Sequence, residues 1–280
     1  MNTIYRIMEL FLPFDYIQYD FMKNALLAVL IIAPLFGLLG TMIVNNRMAF
    51  FSDALGHSAL TGMAVGILFG VIDTGISMLV FGVLFALLLN KIKHSGIVAS
   101  DTVISVFSSF STAIGLVILS RGGDFSKYSA LLVGDILSIT PPELFRLSLT
   151  LLAALIFWGA AFNKLHAISL SVSLAKSKRI SVTLIDNLFV VLVAVVVMLS
   201  IKWVGILIIN ALLILPAASA RNLSANIREY HLFAVLFSMF SGILGLILSY
   251  YLDMAAGPMI VVIAALLFFT TLAVRPLVKQ

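Results

Sequence analysis

No cysteine occurs among the 280 residues, which removes disulfides, thiolate ligands and iron–sulfur clusters together. Any metal this chain handles meets only nitrogen, oxygen and thioether donors. Charge is almost as scarce. Asp, Glu, Lys and Arg make up 10% of the residues, against about 25% in soluble domains. No GxxxxGK[ST] occurs, so the chain alone cannot hold ATP in the P-loop manner. No HExxH surrounds His57, His94, His166 or His231, which removes the zinc-protease helix. No basic stretch precedes a short apolar core with a small-residue cleavage site, so a secretory signal is not expected.

What fills the space is apolar. The chain is 62% hydrophobic, with a mean hydropathy of +1.19. Apolar runs of about 17 to 25 residues recur along it, the length a helix needs to cross a bilayer core. An all-α, polytopic membrane protein of eight to nine spans follows, with residues 1–280 as one unit. The spans read as 24–44, 48–70, 75–90, 97–119, 143–162, 184–200, 203–219, 231–251 and 256–274. Residues 1–22 read as an interfacial segment, with Phe11, Leu12, Phe14 and Tyr16 beside Asp15 and Asp20. Leu131 to Ile139 is apolar but short, as in a partial or re-entrant helix.

Nine crossings put the N-terminus outside and the C-terminus inside. Of the 17 Lys and Arg, 11 then lie on the inner side: Arg47, Lys91, Lys93, Lys164, Lys176, Lys178, Arg179, Arg221, Arg228, Arg275 and Lys279. That bias matches the positive-inside rule. It also accounts for the formal charge of +5, so nucleic acid is not an expected partner.

Against this background one pair stands out. Asp53 and His57 lie four residues apart inside MAFFSDALGHSALTGMAVGILFGVI, and on a helix that spacing shares one face. A carboxylate and an imidazole in hydrocarbon are costly unless they face a partner, a cavity or an ion. If Arg47 marks the inner interface, Asp53 is about 9 Å deep and His57 about 15 Å, at about 1.5 Å per residue. His57 is then close to the middle of a core about 30 Å thick. The pair reads as part of a permeation path, with Thr61 continuing its stripe. Beside it run Ser58, Gly62, Gly66 and Gly70, a spacing of small residues that lets helices approach closely.

Other features carry less. Pro34 and Pro216 interrupt their spans and should kink them or free a carbonyl. Asp101 reads as a helix cap and Asp135 as an interfacial turn. His94, His166 and His231 read as solvated or interfacial, and Trp203 with Tyr250 and Tyr251 as an aromatic belt. The longest inner polar segment, Asn163 to Asp186, suits a short surface helix that either docks a cytoplasmic partner or binds anionic headgroups.

Three ordered motifs resemble the permease subunits of bacterial ATP-binding-cassette importers for zinc, manganese or iron(II). They are RMAFFSDALGHSALTG at 47–62, VGILIINALLILPAASAR at 204–221 and GILGLILSYYLDMAAGPMIVVIAALLFF at 242–269. The resemblance implies a multi-pass protein of the bacterial plasma membrane, working as a homodimer with two cytoplasmic ATP-binding subunits and an extracellular metal-binding protein. It makes Asp53 and His57 the metal-passage ligands, with the divalent ion as cargo and no permanently bound cofactor. It also implies a cytoplasmic coupling segment within 163–183, centred on Leu170, Ser171, Leu174, Ala175, Lys176 and Arg179. There the chain departs from the pattern. Relatives carry acidic residues before the Ala-Lys and a glycine shortly after it, whereas this chain has Ser171, Val172 and Ser173, then Arg179.

Two other classes compete. A proton- or ion-coupled secondary transporter would use Asp53 as proton carrier and need no ATPase subunit. An intramembrane hydrolase would use Ser58 as nucleophile, and it lacks an evident base.

Overall fold

The computed structural model describes residues 5–6, 8–9, 15–71, 73–94, 100–121 and 130–278. All of its regular structure is helical. A single 3₁₀ turn, Asp15–Gln18, leads into α1 (Asp20–Asn45). The chain continues through α2 (Ala49–Leu68), α3 (Thr74–Lys93), α4 (Ser100–Arg121) and α5 (Pro141–Leu170). After the short α6 (Val172–Ser177) come α7 (Val182–Val204), α8 (Ile206–Leu223), α9 (Ile227–Leu252) and α10 (Ala256–Val278).

Seven of these helices (α1, α3, α4, α5, α7, α9 and α10) are long and apolar enough to cross a membrane. The nine expected spans correspond to those seven plus α2 and the shorter α8. Burial sorts them. About two-thirds of the apolar stretch of α1 is buried, against 17% for α10, so α1 is a core element and α10 a peripheral one. Fully buried Phe36, Phe51 and Phe189 from α1, α2 and α7 fill the centre.

Local chemistry fixes the helix ends. The Asp73 carboxylate accepts from Gly75 N at 2.9 Å and caps α3. Pro141 opens α5, and the Glu143 carboxylate accepts from Thr140 N at 2.9 Å. Asn226 Oδ1 accepts from Glu229 N at 2.9 Å at the start of α9. Pro34 and Pro216 lie inside unbroken α1 and α8. Each lacks the N–H that would bond the carbonyl four residues back.

The helix ends alternate. The last residue of α1, Asn45, shares a cavity with Leu170, Arg221 and Asn226, from the ends of α5 and α8 and the start of α9. Asp73, Glu143 and Lys202, from the starts of α3 and α5 and the end of α7, gather around another. There Lys202 Nζ lies 2.6 Å from Glu143 Oε1.

Several expectations are corrected. Residues 163–170 continue α5, so that helix is 30 residues long and outruns a bilayer core of about 30 Å. Only Ser171 onward leaves it. His166 and His231 are buried, with rings 5.2 Å apart. Phe162 lies 4.6 Å from His166 and Trp158 5.4 Å from His231. Their polar tips hid an apolar contact that hydropathy alone assigns to solvent. Trp203 is buried too, because the segment 130–139 folds over the junction of α7 and α8. That segment holds only a helical turn, Ala130–Val133, and a 3₁₀ turn, Ile136–Ser138, and Asp135 caps the latter. At the junction Gly205 has φ 90° and stands against Gly134, φ 71°. A Cβ on Gly205 would fall 2.3 Å from the Val133 carbonyl. Only glycine fits both the backbone angle and the contact. Of the N-terminal segment, Phe11, Leu12 and Phe14 lie outside the described residues. Lys23 is buried in α1, with Glu9 at 2.6 Å and Asp20 at 3.0 Å.

Candidate functional site

The second helix is the hub, because α3, α4, α7 and α8 all pack on it. Each of its faces meets a different neighbour. Gly56 brings it to Ile206 of α8, where an added Cβ would lie 3.4 Å from the carbonyl oxygen. The Ser52 hydroxyl donates to Asn210 Oδ1 on the same neighbour. Gly62 and Gly66 seat α3, and the Ser77 hydroxyl donates to the Gly62 carbonyl at 2.6 Å. Ser58 is buried and donates to its own helix at the Leu55 carbonyl, 2.8 Å away. Gly70 lies past the helix end, in a left-handed turn (φ 68°) with no atom within 4 Å of where a Cβ would stand.

The remaining face meets α4. Thr61 donates to the Ser111 carbonyl, and the Ser111 hydroxyl donates back to Thr61 Oγ1 at 3.0 Å. Gly115 permits this approach: a Cβ there would lie 2.9 Å from Thr61 N. Thr61 therefore closes the gap between the helices instead of lining a cavity. One turn back towards the start of α2 the helices part, leaving a groove of about 570 Å³.

Asp53 and His57 both line that groove. Asp53 stands one turn into α2 and His57 two, so both lie in the half nearer Arg47. His57 Nε2 is 3.8 Å from Asp53 Oδ2, and the side chains are 29% and 40% exposed. The separation is too long for a hydrogen bond. It is close to the roughly 3.4 Å between two donors that each sit about 2.1 Å from a tetrahedral cation. Exposure on this scale means the pair opens onto the surface of a single chain. Among the described residues no three His, Cys, Asp or Glu side chains converge on one point. One chain alone thus brings two charged or imidazole donors to the groove, short of a full coordination shell.

The opposite wall was not anticipated. Ser105, Ser108, Ser109 and Thr112 of α4 line the groove across from Asp53 and His57. The signal was available: four hydroxyls spaced i, i+3, i+4 and i+7 share one face of the helix and form a polar stripe. Phe50, Val106, Phe110 and Val117, on the same two helices, are more than half exposed. They give this side of the molecule an apolar surface around a polar slot.

The segment following α5 is the second candidate. Ser171 caps α6 by accepting from Leu174 N at 3.3 Å. Leu170, Val172 and Leu174 are exposed, at 73%, 47% and 42%. Ala175 is buried beneath them. Lys176 lies in the last turn of the helix and is followed by Lys178 and Arg179. Arg179 adopts φ 56°, and Ile180 N donates to the Ala175 carbonyl at 3.0 Å. A left-handed residue after a helix is a place where glycine is usual, which is what the resembling pattern carries at this position.

The chain is similar to the high-affinity zinc uptake system membrane protein ZnuB of Haemophilus influenzae, at 31% identity over 92% of this chain and 99% of that one. It is similar to the manganese import system permease protein ScaB of Streptococcus parasanguinis, at 30% identity over 92% of each. A solved structure of PsaBC from Streptococcus pneumoniae in complex with Fab matches with a TM-score of 0.80 and 28% identity. The match covers 97% of this chain and 95% of that one. A family model matches residues 18–275, and the chain belongs to the ABC 3 transport family.

Proposed function

We propose that the chain is the membrane-spanning permease subunit of an ATP-driven importer that moves zinc or manganese into the cytoplasm. Asp53 and His57 line the metal path. The observation that carries this reading is the groove between α2 and α4, where the two donors stand 3.8 Å apart on one wall and four hydroxyls line the other. The names of the similar proteins support the ion class. The donor set suits Fe²⁺ equally well.

Two permease chains face each other across this groove. Each contributes one Asp53 and one His57, which brings the shell to four N/O donors. The exposed Phe50, Phe110 and Val117 form the contact around it. An extracellular binding protein delivers the ion, and two ATP-binding subunits dock on the apolar and basic surface of α6. Their closure moves α6 and re-orients the path. The site binds tightly enough to admit the ion and loosely enough to release it.

Co-purification with the ATP-binding subunit tests the assembly, and metal-dependent ATP hydrolysis by that complex tests the coupling. A permease that accumulates metal with no ATPase partner would instead establish the secondary transporter. Retained uptake in Ser58→Ala removes the hydrolase, whose hydroxyl already bonds its own helix.

A further inference from the structure

A second cluster of donors lies outside the transport groove, between the end of α3 and the start of α7. His94 Nδ1 is 2.8 Å from the Asn90 carbonyl, so it carries the proton and donates it. The lone pair then belongs to Nε2, the arrangement by which a backbone carbonyl commits an imidazole to ligation. That Nε2 points at Asp186 Oδ2, 3.4 Å away. Asp186 is buried, and among the described residues no donor hydrogen-bonds its Oδ2.

Asn90 adds a third acceptor. Its Nδ2 donates to Asn187 Oδ1 at 2.9 Å, which leaves its own Oδ1 buried and, among the described residues, without a donor. Asn90, His94, Asp186 and Asn187 all line one cavity of about 450 Å³. These residues bring three acceptors, one of them a carboxylate, to the same region between α3 and α7, and each buried polar atom left unsatisfied costs about 1–3 kcal/mol. A proton between His94 and Asp186 serves two of them and leaves Asn90 Oδ1 orphaned. A cation serves all three. The 3.4 Å spacing equals the separation of two ligands about 2.1 Å from a tetrahedral metal.

We propose that His94, Asp186 and the Asn90 side-chain carbonyl form a second divalent-cation site, distinct from the Asp53–His57 groove. Its ligand is a borderline cation of the Zn²⁺ or Mn²⁺ type, since one imidazole and two oxygens suit neither a soft monovalent ion nor an all-oxygen ion. Lys93 is the competing cation for Asp186. Bound metal ties α3 to α7, and both of those helices pack on α2.

The test is a Mn²⁺ titration of the full-length permease with its ATPase partner in detergent, with free Mn²⁺ read by electron paramagnetic resonance. Asp53→Ala and His57→Ala are combined first, to remove the transport site. One Mn²⁺ per permease chain remains in that background, and Mn²⁺ raises its melting temperature. Adding His94→Gln weakens the remaining binding at least tenfold and abolishes the melting shift. His94 is half exposed, so this variant folds, and Asp186→Asn is the second variant. Absence of any remaining Mn²⁺, or unchanged binding after His94→Gln, overturns the proposal. Neither outcome bears on uptake through the groove, which a transport assay reads separately.

Discussion

Gly115 is the hinge of the groove's geometry, and adding one methyl there tests it. The Cβ of Gly115→Ala falls 2.9 Å from Thr61 N and 3.0 Å from Thr61 Cα and Oγ1. Carbon contacts settle near 3.5–4.0 Å, so α4 must retreat from α2 by about 0.5–1 Å. That retreat stretches the 3.0 Å bond from Ser111 to Thr61 beyond hydrogen-bonding range. Overpacking costs about 1–3 kcal/mol, and each interhelical bond lost in a membrane costs about 0.6 kcal/mol. The loss of both Thr61 bonds brings the total to roughly 2–4 kcal/mol. Gly159→Ala is the control, because nothing stands within 4 Å of its Cβ on α5. Both variants gain the same helix propensity, about 1 kcal/mol, so their difference isolates the clash. In detergent, Gly115→Ala melts several degrees below Gly159→Ala, and its groove is wider at His57. Equal melting temperatures for the two would refute the close approach that shapes the groove.

Three further outcomes follow from other parts of the chain. Gly205→Val combines φ 90° with a Cβ 2.3 Å from the Val133 carbonyl, so it prevents assembly of the α7–α8 junction, read as loss of monodisperse protein on size exclusion. Arg179→Gly removes a left-handed strain of about 1–2 kcal/mol and restores the residue the resembling pattern carries. Its melting temperature is unchanged or higher, while the loss of a positive charge weakens ATPase association at low salt. Leu174→Asp places a charge on the exposed face of α6, so the permease inserts and folds but its ATPase partner no longer co-purifies.

The helical class and the span positions were legible because long apolar runs have one solution in a bilayer, where backbone groups must bond within their own segment. The Asp53–His57 pair was legible for the complementary reason, that a charge in such a run is costly. What escaped was whatever depends on tertiary contact. His166 and His231 look solvated in sequence, and only the meeting of their side chains across α5 and α9 buries them. Thr61 shares a stripe with Asp53 and His57, but Gly115 draws α4 against it and takes it out of the cavity. The hydroxyls of α4 were visible as a period of 3.6, yet nothing local said which helix they would face. Arg179 stands where the resembling pattern carries glycine, and its backbone is left-handed, the conformation glycine adopts most readily.

The central claim is that Asp53 and His57 carry the ion. Uptake of each metal offered singly, measured by elemental analysis in cells lacking other importers, tests it most directly with Asp53→Ala and His57→Ala. Both side chains line the groove and are partly exposed, so both variants reach the membrane at normal levels. The account predicts that either one loses uptake. Normal accumulation of zinc and manganese by both variants would contradict it.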